Sequence, residues 1–196
     1  MATNNPTHYR LFIAIDLPPE ARQSLARVQD KLKSVRAIRW AKPQQIHLTL
    51  QFLGDTPIAR VEAISDALQL EVSSLSSLGL TLNGVGVFPN PKRPRIIWAG
   101  LGGEGDALKA LHRAVISATQ TVGFQAEKRP FKPHLTIGRV QKWAKSSDYA
   151  AIRQVIQRNP IAEIATFSVD HISLIRSQLK PTGPIYTQLA RVDLEN

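Results

Sequence analysis

His47 and Thr49 stand one residue apart in Ile46-His47-Leu48-Thr49-Leu50, and almost the same spelling returns as Pro133-His134-Leu135-Thr136-Ile137. With 5 His and 11 Thr in 196 residues, chance supplies about 0.3 His-x-Thr matches. Two copies that also agree in the intervening Leu and the following aliphatic residue therefore form a signal as a pair. In a β-strand, side chains alternate between faces, so His47 and Thr49 share one face while Leu48 and Leu50 share the other. The same holds for His134 and Thr136 against Leu135 and Ile137. Each strand would anchor itself through its aliphatic pair and offer an imidazole beside a hydroxyl.

Two such strands lining one cleft suit a phosphodiester. One neutral imidazole can activate a nucleophile while a second, protonated, donates to the leaving oxygen. The ordinary histidine pKa of about 6.5 puts both states within reach near neutrality. Threonine hydroxyls can donate to the nonbridging oxygens as charge develops. The scheme needs no metal, and neither histidine has a second His or a carboxylate at ligand spacing nearby. A strand His is also common as a hydrogen-bonded structural residue, and Thr for its β-branched shape; it is the matching of the two copies that favours chemistry.

The elements that must position these residues follow from periodicity. Residues 9–16 (YRLFIAID) read as a strand, and Pro18 and Pro19 open a helix over 19–35 with Leu25, Val28, Leu32 and Val35 on one side. A strand over 45–53 ends at Leu53-Gly54-Asp55, and Thr56 and Pro57 read as the N-cap and first residue of a helix carrying Val61, Ile64 and Leu68. Leu78, Leu80 and Leu82 alternate as a strand, PRIIWAGL forms another, and the proline-rich segment between them is a hairpin-like loop. A helix carrying Leu108, Leu111, Val115 and Val122 precedes the second motif. After that motif come a helix over 146–158 and strands over 164–176 and 184–193. The order β-α-β-α-β-β-α-β-α-β-β is α+β. The two motifs lie slightly under half the chain apart, which predicts one domain over 1–196 with two similar halves.

Composition narrows the chemistry. The chain has no Cys, which removes disulfides, thiolate metal sites and a cysteine nucleophile, and permits a cytoplasmic location. The N-terminus lacks a signal-peptide pattern, and no apolar run approaches the roughly 18 residues of a membrane span, so a soluble protein is expected. The formal charge of +10 favours a polyanionic partner such as RNA or DNA. Positive charge gathers at Arg36, Arg39 and Lys42; at Lys92, Arg93 and Arg95; at Lys128, Arg129 and Lys132; and at Arg139, Lys142 and Lys145. Three of these groups flank the two motifs, although a solvated charged face has the same look. Trp40 and Trp98 read as packing residues, and His8, His112 and His171 as structural or surface ones.

At RLFIAIDLP, IRWAKPQQIHLTLQFLG, RIIWAGL and FKPHLTIGR, in that order over nearly the whole chain, the sequence resembles the two-histidine (2H) phosphoesterase superfamily. Within it, the likeness is to the RNA 2′,3′-cyclic phosphodiesterases, also called LigT-like or 2′-5′ RNA ligase-like proteins. The resemblance implies a bilobal α+β fold of two pseudo-symmetric lobes, each with an antiparallel-type sheet and outer helices, and a cleft between them. It implies hydrolysis of an RNA 2′,3′-cyclic phosphate to a 2′-phosphomonoester, without cofactor or metal; a monomer is expected separately. It casts His47 as proton donor and His134 as proton acceptor, with Thr49 and Thr136 beside them. It also casts Arg139 and Phe52, each five residues after its histidine, as substrate contacts. Strict alternation puts an offset of five on the opposite face from the histidine, so both residues reach the cleft only if their strands bulge or end first; Phe52 could equally be core. Two other readings share these residues: ATP-independent 2′-5′ ligation of tRNA halves, and a noncatalytic nucleotide- or RNA-binding module.

Overall fold

Pro18 and Pro19 stop the first strand and start the first helix, because proline fixes φ for a helical first turn and withholds the N–H a ladder would need. The computed structural model describes residues 7–159, 163–181 and 183–195, so the first six residues of the N-terminal reading lie outside it. Its elements are β1 (His8–Asp16), α1 (Pro19–Leu32), β2 (Ile38–Trp40), β3 (His47–Pro57), α2 (Val61–Val72), β4 (Leu78–Phe88), β5 (Ile96–Gly103), α3 (Gly105–Thr121), β6 (His134–Val140), α4 (Ser146–Arg158), β7 (Glu163–Val169), β8 (His171–Lys180) and β9 (Gly183–Asp193). Short 3₁₀ turns at Pro43–Gln45 and Ile58–Arg60 lead into β3 and α2.

The strands form two antiparallel sheets, ordered β3-β1-β8-β9 and β2-β6-β5-β4-β7. Each carries one motif strand, and β3 and β6 lie in contact with one another. The fold is the expected α+β pair of lobes, but the lobes are not the two halves of the sequence. The hairpin β4-β5, which follows the first motif, joins the sheet of the second; β8-β9, which follows the second motif, joins the sheet of the first. One hydrophobic cluster that includes Leu48, Leu50, Leu135 and Ile137 runs through both lobes. A small satellite of Phe12, Ala14 and Ile175, with Tyr186 packed on it, lies apart from that core.

Several elements differ from the sequence reading. The helix expected from Pro57 begins only at Val61, and β3 runs on to Pro57 because His8, Tyr9 and Arg10 pair with Pro57, Thr56 and Asp55. Gly54, at a φ of 72°, lies at a bulge in the ladder and does not end the strand. The first helix stops at Leu32, three residues before Val35. The apolar stretch 164–176 is two strands divided at Asp170: β7 pairs with β4 in one sheet and β8 with β1 in the other. A chain crossing between sheets leaves its hydrophobic pattern unbroken, so periodicity does not reveal it. Finally, the three-residue β2, invisible to pattern at that length, pairs with β6.

Candidate active site

Leu48 and Leu50 are buried, as are Leu135 and Ile137, while His47, Thr49, His134 and Thr136 are half-buried on the opposite faces of their strands. Both imidazoles are tied down in the same way. His47 Nδ1–H donates to the carbonyl of Gln45 at 2.9 Å and His134 Nδ1–H to that of Lys132 at 2.7 Å, each two residues upstream. A carbonyl can only accept, so the proton belongs on Nδ1 in each neutral ring and Nε2 is left for chemistry. The hydroxyls of Thr49 and Thr136 have no protein partner among the described residues.

The offset of five is resolved by two matching bulges. In the β1–β3 ladder Ala14 pairs with Thr49 and Ile13 with Gln51, so Leu50 is the extra residue. In the β5–β6 ladder Trp98 pairs with Thr136 and Ile97 with Gly138, so Ile137 is the extra residue. Each bulge sits three residues after its histidine and shifts the alternation by one, which brings Phe52 and Arg139 onto the histidine faces. Phe52 is 57% exposed rather than core. Its ring lies 6.1 Å from that of Phe12, which in turn stacks on His47 at 4.7 Å. Arg139 is also exposed, and its charge bears on the Tyr186 hydroxyl of the other sheet.

The same shift turns Gln51 and Gly138 toward the core. Gln51 is buried and accepts a 2.7 Å hydrogen bond from Thr119 of α3, which meets the cost of an interior amide. At Gly138 a Cβ would lie 2.8 Å from Ile38 Cγ2 and 3.0 Å from Trp40 Cε3; Trp40 is a packing residue. Each bulge is also held from behind by a helix. Buried Gln29 of α1 donates at 2.8 Å both to the Ile137 carbonyl and to that of Ala41. His112 of α3 interacts with the backbone of Leu50 and stacks on Phe131 at 3.9 Å.

The surroundings of the two histidines are unlike. His47 sits between Phe12 and the edge of Tyr186, whose ring centre is 5.1 Å away. Burial lowers its pKa; the Gln45 carbonyl and Asp16 oppose that, and Arg22 adds to it. Burial also raises the pKa of Tyr186, against the charges of Arg139 and Arg10. His134 meets Phe88 edge to face at 5.0 Å, and Phe88 leans on Trp98 at 5.2 Å. The Trp98 indole lies over Gly86, where a Cβ would come within 2.2 Å of it, and its buried N–H has no partner in the described structure. Asp16, Phe12, Tyr186 and Phe88 were missed by motif reasoning. The parity of Phe12 and Asp16 along one strand was the available clue; nothing local marks Tyr186. Trp98, expected as packing, is half-buried and lies directly across the ladder from Thr136.

Nucleotide chemistry is compatible with this set: two imidazoles with free Nε2 atoms, two unpaired hydroxyls, a guanidinium and an exposed ring. Among the described residues no three His, Asp or Glu side chains converge as a metal site. The model of the 2′-5′ RNA ligase superfamily matches residues 17–181. An RNA 2′,3′-cyclic phosphodiesterase of Methanothermobacter thermautotrophicus is 34% identical over 92% of this chain and 96% of its own length. One from Thermotoga maritima is 34% identical over 95% and 96%. Among solved structures, a protein of Thermus thermophilus superposes with a TM-score of 0.80 at 30% identity, covering 95% of this chain and 98% of that one. E. coli LigT complexed with 3′-AMP superposes at 0.76 and 26% identity, covering 96% and 99%. By its sequence blocks, its paired motif strands and these likenesses, the chain belongs to the 2′-5′ RNA ligase superfamily.

Proposed function

We propose that this protein is an RNA 2′,3′-cyclic phosphodiesterase that opens a terminal cyclic phosphate to a 2′-phosphomonoester. The observation that carries the reading is the pair of identically tethered histidines on two strands from different sheets, each beside an unpartnered threonine hydroxyl. The names of the relatives supply the substrate. His134 Nε2 takes a proton from water as the water oxygen bonds to phosphorus. The bond from phosphorus to the 3′ oxygen breaks, and His47 Nε2–H protonates that oxygen. The products are a 2′-phosphate and a 3′-hydroxyl, and the two rings have exchanged protonation states. Thr49 and Thr136 donate to the nonbridging oxygens. Phe52 and Arg139 flank the terminal base, by stacking and cation–π contact.

Burial of His47 acts against its role as acid, since it favours the neutral ring. A bound phosphodiester anion reverses that, because an opposite charge within about 4–6 Å favours the protonated form. Both histidines come from one chain, so the site asks for no second copy, and a monomer is the proposed working form. The lack of Cys fits a cytoplasmic setting.

The test is turnover of an oligoribonucleotide ending in a 2′,3′-cyclic phosphate. Replacing either His47 or His134 by Ala should cost about 10²- to 10⁴-fold in kcat. Near-normal turnover in either variant would refute the mechanism.

A further inference from the structure

The two motif strands are copies in sequence and in the tether that fixes each ring, so what makes one histidine an acid must lie around them. Directly across the ladder, His47 faces Asp16, whereas His134 faces Gly100. Residues so paired have Cβ atoms about 4.5–5.5 Å apart on one face of the sheet. The Asp16 carboxylate is itself fixed: the Ser173 hydroxyl donates to it at 2.7 Å, and the Gln188 amide donates to Ser173 at 3.2 Å. Ser173 is fully buried in β8, and Asp16 makes no ion pair among the described residues. The carboxylate is therefore held in place by hydrogen bonds and not by a cation. The other lobe excludes an equivalent: a Cβ at Gly100 would lie 2.4 Å from the Asn83 carbonyl oxygen.

We propose that Asp16, held by Ser173 and Gln188, is a positioning residue that keeps a proton on His47 and so makes it, rather than His134, the acid of the pair. None of the other groups facing His47 is a carboxylate. Arg22 of α1 opposes the proton, Tyr186 of β9 presents a ring edge, the Gln45 carbonyl accepts from Nδ1, and Phe12 of β1 is apolar. Asp16 is thus the one carboxylate acting against burial and Arg22. The proposal rests on the reading of His47 as proton donor.

The experiment is the pH profile of kcat/KM for wild type, Asp16→Asn and Ser173→Ala. An acid must be protonated to act, so its pKa sets the alkaline limb. Asparagine keeps the shape and an acceptor for Ser173 but removes the charge. The alkaline limb of Asp16→Asn should move about one unit toward acid, giving about a ten-fold loss above the limb and little loss on the acid side. Ser173→Ala should move it the same way by less, and decides the matter if Asp16→Asn does not fold. NMR titration of the ring protons should show the His47 midpoint falling while that of His134 stays. This second readout needs no turnover, so a protein without phosphodiesterase activity would refute the proposed function and leave the Asp16–His47 coupling to be judged alone. An unmoved limb with an unmoved His47 titration, an equal shift of both histidines, or a uniform loss at every pH would overturn the proposal.

Discussion

The buried amide of Gln29 donates to the carbonyl of Ile137 at 2.8 Å, and Ile137 is the bulge residue that turns Arg139 to the face of His134. A helix thus fixes the backbone irregularity on which the proposed substrate contact of Arg139 depends. The arrangement has a counterpart in the other lobe, where Thr119 of α3 donates at 2.7 Å to Gln51, the residue after the bulge at Leu50.

Replacing Gln29 by Leu removes both of its donated bonds and leaves the Ala41 carbonyl without that partner. Stability should fall by about 1–3 kcal/mol, read by urea denaturation. Because Arg139 depends on the bulge, KM should rise more than kcat falls, as it should in Arg139→Ala. A double variant that costs no more in KM than Arg139→Ala alone would show that the two act through one contact.

Truncating Phe52 to Ala removes an exposed ring proposed to stack on the terminal base. Such stacking contributes about 1–3 kcal/mol per base, so KM should rise at least about five-fold. Folding should be nearly unaffected because the ring is solvent-facing. Initial-rate kinetics and a thermal melt check both halves.

Arg39 of β2 stands directly across from Arg139 on the ladder, and like charges so placed repel one another. An anionic strand lying along that edge relieves the repulsion. Arg39→Gln should weaken binding of a cyclic-phosphate oligonucleotide and reduce the salt slope of log K by about one, while a nucleoside 2′,3′-cyclic phosphate is affected much less. Equal losses on the two substrates would place Arg39 at the reacting phosphate instead.

Burial lowers the pKa of His47 and of His112 in the folded protein. The unfolded chain then binds more protons than the folded one as pH falls below about 6.5, so stability declines with acidification in that window. Melting temperature should drop from about pH 7.5 to about pH 5.5, a span that brackets the ordinary histidine pKa, and His47→Gln should shallow the slope. A melting temperature that rises toward acid would contradict the sign.

Much of the geometry of the candidate site was legible because its signal is local. A period of two placed Leu48 and Leu50 inward and His47 and Thr49 outward from five letters. Phe52 and Arg139 were harder, since a bulge changes parity without changing composition; Gly138 hinted at one, and nothing in Leu50-Gln51 hinted at the other. The split of 164–176 between two sheets and the true start of α2 depend on which strands pair, which the chain's periodicity does not encode. Asp16 escaped because its meaning is a cross-strand relation: in sequence it is the last letter of an apolar run, and only the register with His47 makes it a neighbour.

The position of the phosphate in the product tests the central claim most directly. An oligoribonucleotide ending in a 2′,3′-cyclic phosphate, incubated with the protein in EDTA and followed by ³¹P NMR, should yield a 2′-phosphomonoester with a free 3′-hydroxyl. A 3′-phosphate product would contradict the leaving-group assignment and the part given to His47.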